Sequence, residues 1–80
     1  MEPILIDLND YVRTGEGANG ASYDHKTDKN IMLKMYFRNF DAAKLELELA
    51  RKVYAAGIST PEPGDLVTDG KTMGIRFRRI

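Results

Sequence analysis

Between Asn39 and Ala56 the chain changes its period, and that change limits the folds open to it. Residues 42–52, Ala-Ala-Lys-Leu-Glu-Leu-Glu-Leu-Ala-Arg-Lys, are strong helix formers. Asn39 or Asp41 stands where a cap belongs, and Gly57 closes the run. The rest reads as strand or turn. Ile4 to Tyr11 suits an edge strand or a short lead-in, and Tyr11 to Thr14 is a strand that runs into a glycine-rich turn or loop at 15–20. Ser22 to Lys26 is a second strand, and Lys26 to Asn30 is polar turn chemistry. Ile31 to Tyr36 is a compact apolar strand that completes a hairpin. Pro61 and Pro63 force an extended connection. Asp65 to Thr68, the turn Asp69-Gly70-Lys71 and Thr72 to Ile80 then predict another hairpin. One helix flanked by strands predicts an α+β fold, an antiparallel β-sheet of about five strands with one main α-helix packed on it, as a single domain over residues 1–80.

Eighty residues bury little, and in chains of this size hydrophobic gain and lost chain entropy nearly cancel. There is no cysteine to form a disulfide or thiolate metal site, and His25 is alone. Twelve Lys plus Arg balance twelve Asp plus Glu, so no net field draws the chain to nucleic acid or to a membrane. Met1-Glu2-Pro3 has no basic leader character, and Ile4-Leu5-Ile6 is far shorter than a membrane span. The expectation is a soluble, cytoplasmic protein.

Gly15, Gly17 and Gly20 fit the spacing G-x-G-x-x-G, which serves dinucleotide folds, kinases and plain hairpin turns alike. In a dinucleotide fold the third glycine opens a helix, whereas residues 21–26 have no helical apolar face and lead to another strand. A glycine loop closing a hairpin lets backbone amides approach phosphates.

Lys34 interrupts the apolar strand, with Met32, Lys34 and Tyr36 on one pleat face and Ile31, Leu33 and Met35 on the other. Taken alone, Lys34 reads first as an amphipathic lysine whose head reaches water. On the helix, at about 100° per residue, the apolar side chains fill an arc of roughly 200° with Glu46 near its middle. Glu48 falls on the charged face with Lys44, Arg51 and Lys52. A carboxylate aimed into an apolar face requires a partner, and Lys34 is the candidate, with Arg38 or solvent as the alternative.

A glycine loop, then a lysine-bearing strand, then a helix with an inward glutamate resembles the amino-terminal lobe of the protein-kinase-like superfamily. Residues 56–63, Ala-Gly-Ile-Ser-Thr-Pro-Glu-Pro, are similar to the Gly-Ile-Pro-x-Pro turn of the aminoglycoside phosphotransferase and choline kinase group. The resemblance covers residues 10 to 80. It implies a nucleotide-binding lobe in which Gly15, Gly17, Ala18, Asn19 and Gly20 cover the phosphates of ATP. Lys34 would contact the α- and β-phosphates, and Glu46 would orient Lys34. Ala21-Ser22 stands where the family carries a valine against adenine. The resemblance further implies ATP and Mg2+ as cofactors, with the catalytic base and the Mg2+ ligands in a carboxy-terminal lobe absent from residues 1–80. No catalytic residue and no metal ligand is assigned here. The implied activity of the whole protein is transfer of the γ-phosphate of ATP to a small-molecule hydroxyl, with these residues inactive alone. The second lobe is the implied partner, and self-association of the isolated chain follows from the face left bare.

A competing reading is a free-standing α+β interaction module, or a degenerate lobe that binds no nucleotide. Arg76, Arg78 and Arg79 with Lys71 form a basic end, and the alternation of Arg76 and Arg78 with Ile75 and Phe77 reads as a strand with one solvated face.

Overall fold

The structure is a computed structural model that describes residues 3–18, 20–37 and 40–79, Phe40 by its backbone alone. The strands are β1 (Ile4–Leu5), β2 (Tyr11–Glu16), β3 (Gly20–His25), β4 (Ile31–Tyr36), β5 (Glu62–Thr68) and β6 (Met73–Arg78), with helix α1 (Phe40–Ala55) between β4 and β5. They form one sheet in the order β1-β5-β6-β4-β3-β2. The expected α+β architecture is present, with a sixth strand that makes the sheet mixed: β1 pairs parallel to β5, and every other neighbour is antiparallel. The lead-in is this short edge strand followed by a single 3-10 turn at Leu8–Asp10, which the Asp7 carboxylate caps by accepting from the Asn9 amide at 2.9 Å.

Alternation in β4 places a cluster on each face of the sheet. Leu33 and Met35 join Tyr11, Ala21, Tyr23 and Val67 on one face, where Ile6 and Leu8 of the lead-in cover them. On the other face Tyr36 packs with Leu66 and Ile75 against Ala43 and Leu47 of α1, with Met73 and Phe77 at the margin. The helix lies over β5, β6 and β4, which leaves the β2–β3 side of that face uncovered. Two polar contacts fix its tilt: Arg51 Nη2 donates to the Gly64 carbonyl at 3.1 Å, and the Tyr54 hydroxyl donates to Glu62 Oε2 at 3.0 Å. The helix stops at Gly57, whose φ of 83° lies in the left-handed region. Of the two expected caps, Asn39 lies outside the described residues and Asp41 stands inside the first turn of the helix.

The apolar arc of α1 is real but only half of it is buried. Ala43 and Leu47 are covered, with Ala50 and Tyr54 half-covered, whereas Leu45 and Leu49 stay 60% and 55% exposed and Val53 is exposed beside them. Glu46 sits on the seam between these halves and is itself exposed. Periodicity gives the width of an arc, but the sheet can cover only the part that fits against it.

No helix among the described residues is long and apolar enough to cross a membrane.

Candidate functional site

Register brings the distant sequence signals together. Gly15 pairs with Ser22, Ser22 pairs with Lys34, and Lys34 pairs with Ile75, so these residues form one row across β2, β3, β4 and β6. Directly paired residues share a face. Lys34 therefore emerges on the face that α1 half covers, beside the glycine-bearing hairpin. The next row pairs Gly20 with Tyr36.

The hairpin between β2 and β3 is longer in strand and shorter in loop than the glycines predict. Gly15, Glu16 and Gly20 lie within paired strands, β2 ending at Glu16 and β3 beginning at Gly20. A bulge between Arg13 and Gly15 adjusts the register, and the Gly17 amide donates to the Gly20 carbonyl at 2.8 Å to close the turn. Asn19 lies outside the described residues.

The three glycines of the motif are there for different reasons. Gly20 sits so close to β4 that a Cβ would overlap the Met35 carbonyl oxygen, so the fold itself forbids a side chain. Gly15 and Gly17 face open space, where a Cβ would meet nothing within 4 Å, and neither has a positive φ. Sheet geometry and sterics therefore leave both without a reason to be glycine. Their bare Cα atoms border a cleft of about 450 Å3, which Ala18 and Ser22 help to line and into which Lys34, Tyr36 and Glu46 also reach.

Lys34 is exposed between the fully buried Leu33 and Met35. Its side chain makes no hydrogen bond or ion pair with any described residue, so its charge is open to the cleft. The expected partner Glu46 lines the same cleft, but no ion pair within 4.0 Å joins the two. The reason is the seam position: an exposed glutamate keeps its hydration and is not driven to pair. The ammonium of Lys34 instead stands 5.5 Å from the centroid of the Tyr36 ring. Burial pushes the Tyr36 phenol up to about 12, and the Glu46 charge adds to the rise. The other carboxylate at the rim, Glu16, is occupied by Arg13 at 3.4 Å.

Tyr36 is the site residue that sequence reasoning passed over. Its position two residues from Lys34 on one pleat face was the available signal, but a tyrosine in an apolar strand reads first as packing.

The basic end behaves as a solvated strand face with structural partners. Arg76 pairs with Asp65. Arg79 pairs with Asp24 at 2.8 Å and also donates to the Lys29 carbonyl, latching the β3–β4 turn to the end of β6. Among the described residues no group of three or more His, Cys, Asp or Glu side chains is placed to hold a metal ion.

Comparison of the chain with protein-family models, with curated proteins and with solved structures returns no match.

Proposed function

We propose that the cleft between the β2–β3 hairpin and the free side of α1 binds the phosphates of a nucleoside triphosphate, with ATP as the expected ligand. The observation that carries this reading is the pair Gly15 and Gly17, glycines that neither sterics nor backbone conformation requires, set in one cleft with a lysine that has no ion pair among the described residues. Missing Cβ atoms let an anion reach the backbone amides, and a compact ammonium supplies the countercharge. The glycines and Lys34 thus fit a triphosphate by donor chemistry. Bound Mg2+ would neutralise charge on the phosphates, and its ligands belong to a second lobe in this reading.

The resemblance to kinase-like small-molecule phosphotransferases extends the proposal. Residues 1–80 act as a nucleotide-binding lobe, and phosphoryl transfer to a hydroxyl requires a base and metal ligands from elsewhere in the protein. What this chain contributes is binding and orientation, the part of phosphoryl transfer that rests on positioning and charge. Isothermal titration of the chain with MgATP tests the proposal. Lys34→Ala should weaken binding roughly ten- to a hundredfold, the worth of one charge-assisted contact, with circular dichroism unchanged. Equal affinity in Lys34→Ala and wild type refutes it.

One observation favours a second reading. Leu45, Leu49 and Val53 form a bare apolar stripe on α1, and Ile58 beyond its end is also exposed, as expected of a helix that docks onto a protein surface. Under that reading the chain is an interaction module and MgATP leaves it unaffected.

A further inference from the structure

Three side chains meet in the cleft, and the middle one connects the other two. Lys34 and Tyr36 project from the same face of β4, and the ammonium at 5.5 Å from the ring centroid is within reach of the ring quadrupole. Glu46 approaches from α1, makes no ion pair within 4.0 Å with Lys34, and lies near enough to Tyr36 for its charge to act on the phenol. The two candidate anchors differ in rigidity. Tyr36 is 7% exposed and fixed among Ala43, Leu47, Leu66 and Ile75, whereas Glu46 is an exposed side chain. Holding a flexible lysine against a ring that is already immobile loses less entropy than ordering two long exposed side chains around each other.

We propose that Tyr36, and not Glu46, is the positioning residue for Lys34, its ring face holding the ammonium at the mouth of the cleft. This rests on the reading of the cleft as a phosphate site. Strand β4 carries both members of the pair, and α1 holds the ring of Tyr36 through Ala43 and Leu47.

The test uses the ε-methylene proton resonances of Lys34 and titration with inorganic tripolyphosphate. In the wild type, ring current should displace the ε-methylene protons upfield. The displacement should persist in Tyr36→Phe and Glu46→Gln and vanish in Tyr36→Leu. Tripolyphosphate affinity should fall about two- to fivefold in Tyr36→Leu, the worth of an exposed cation–π contact. If Tyr36→Leu does not fold, the wild-type resonance and Glu46→Gln still decide, because Glu46 is exposed. Undisplaced Lys34 protons in the wild type, or a displacement lost in Glu46→Gln, overturns the proposal. A wild type that binds no tripolyphosphate overturns the phosphate reading and the role of Tyr36 in it, and the ring shift tells the two failures apart.

Discussion

Two of the hairpins in the sheet differ in what holds them. The β5–β6 turn supplies its own reasons. Asp69 Oδ1 accepts from the amides of Lys71 and Thr72 at 2.9 and 2.7 Å and from the Thr72 hydroxyl at 3.0 Å. Thr68 Oγ1 donates to the Thr72 carbonyl and accepts from the Gly70 amide, and Gly70 adopts a φ of 97° that a side chain would strain. The β2–β3 turn has a single backbone bond, from Gly17 to Gly20, and no side-chain bond among its described residues. Two of its glycines take ordinary φ values in open space. A turn whose residues all serve the turn needs no ligand to explain it. The cleft-side turn has glycines left over, and this difference is the ground for assigning function there.

Breaking the part of the glycine motif that belongs to the fold should have the largest effect. In Gly20→Ala the new Cβ must displace the β4 backbone at Met35, so stability should fall by about 3 kcal/mol, read by urea denaturation. A loss well below that would mean the β3–β4 approach is looser than the structure shows.

Next in size is the self-sufficient turn. Asp69→Ala removes three accepted hydrogen bonds and should destabilise by about 2 kcal/mol without altering MgATP binding. Burial alone would raise the Asp69 carboxyl. The hydrogen bonds from Thr72 and Lys71 outweigh it and hold the group below its ordinary value. A carboxyl depressed in the folded state stabilises above the unfolded-state value near about 3.9 and loses that contribution as pH falls through the folded value. Thermal melts between pH 6 and pH 2, to be read as about those limits, should therefore show an acid loss in the wild type that is smaller in Asp69→Ala.

Much of this contrast was legible in the sequence, and the rest was hidden for physical reasons. The helix, its end at Gly57, the Asp69-Gly70-Lys71 turn and the alternation that exposes Lys34 follow from local patterns that tertiary structure did not override. The two-residue β1 strand pairs with β5 over a separation of some sixty residues, and no local pattern encodes such a partner. Neither could the sequence tell which glycine of the motif answers to the neighbouring strand, since only the β3–β4 register brings Gly20 against Met35. For Glu46 the wheel placed the residue correctly on the arc. Which half of the arc is buried depends on the tilt set by Arg51 and Tyr54, contacts with β5 that periodicity does not contain.

The smallest change is the most direct test. Gly17→Ala adds one methyl group in open space at an ordinary φ, so the fold should gain about 0.4 to 1 kcal/mol from reduced freedom of the unfolded chain. The same methyl group would stand between a phosphate and the backbone, and MgATP affinity should fall roughly two- to tenfold for one weakened hydrogen bond. The deciding measurement is therefore MgATP affinity and urea stability determined together on Gly17→Ala and wild type. The account predicts a more stable protein that binds more weakly. A variant with higher stability and unchanged MgATP affinity would contradict it, because the missing side chain would then serve neither the fold nor a ligand.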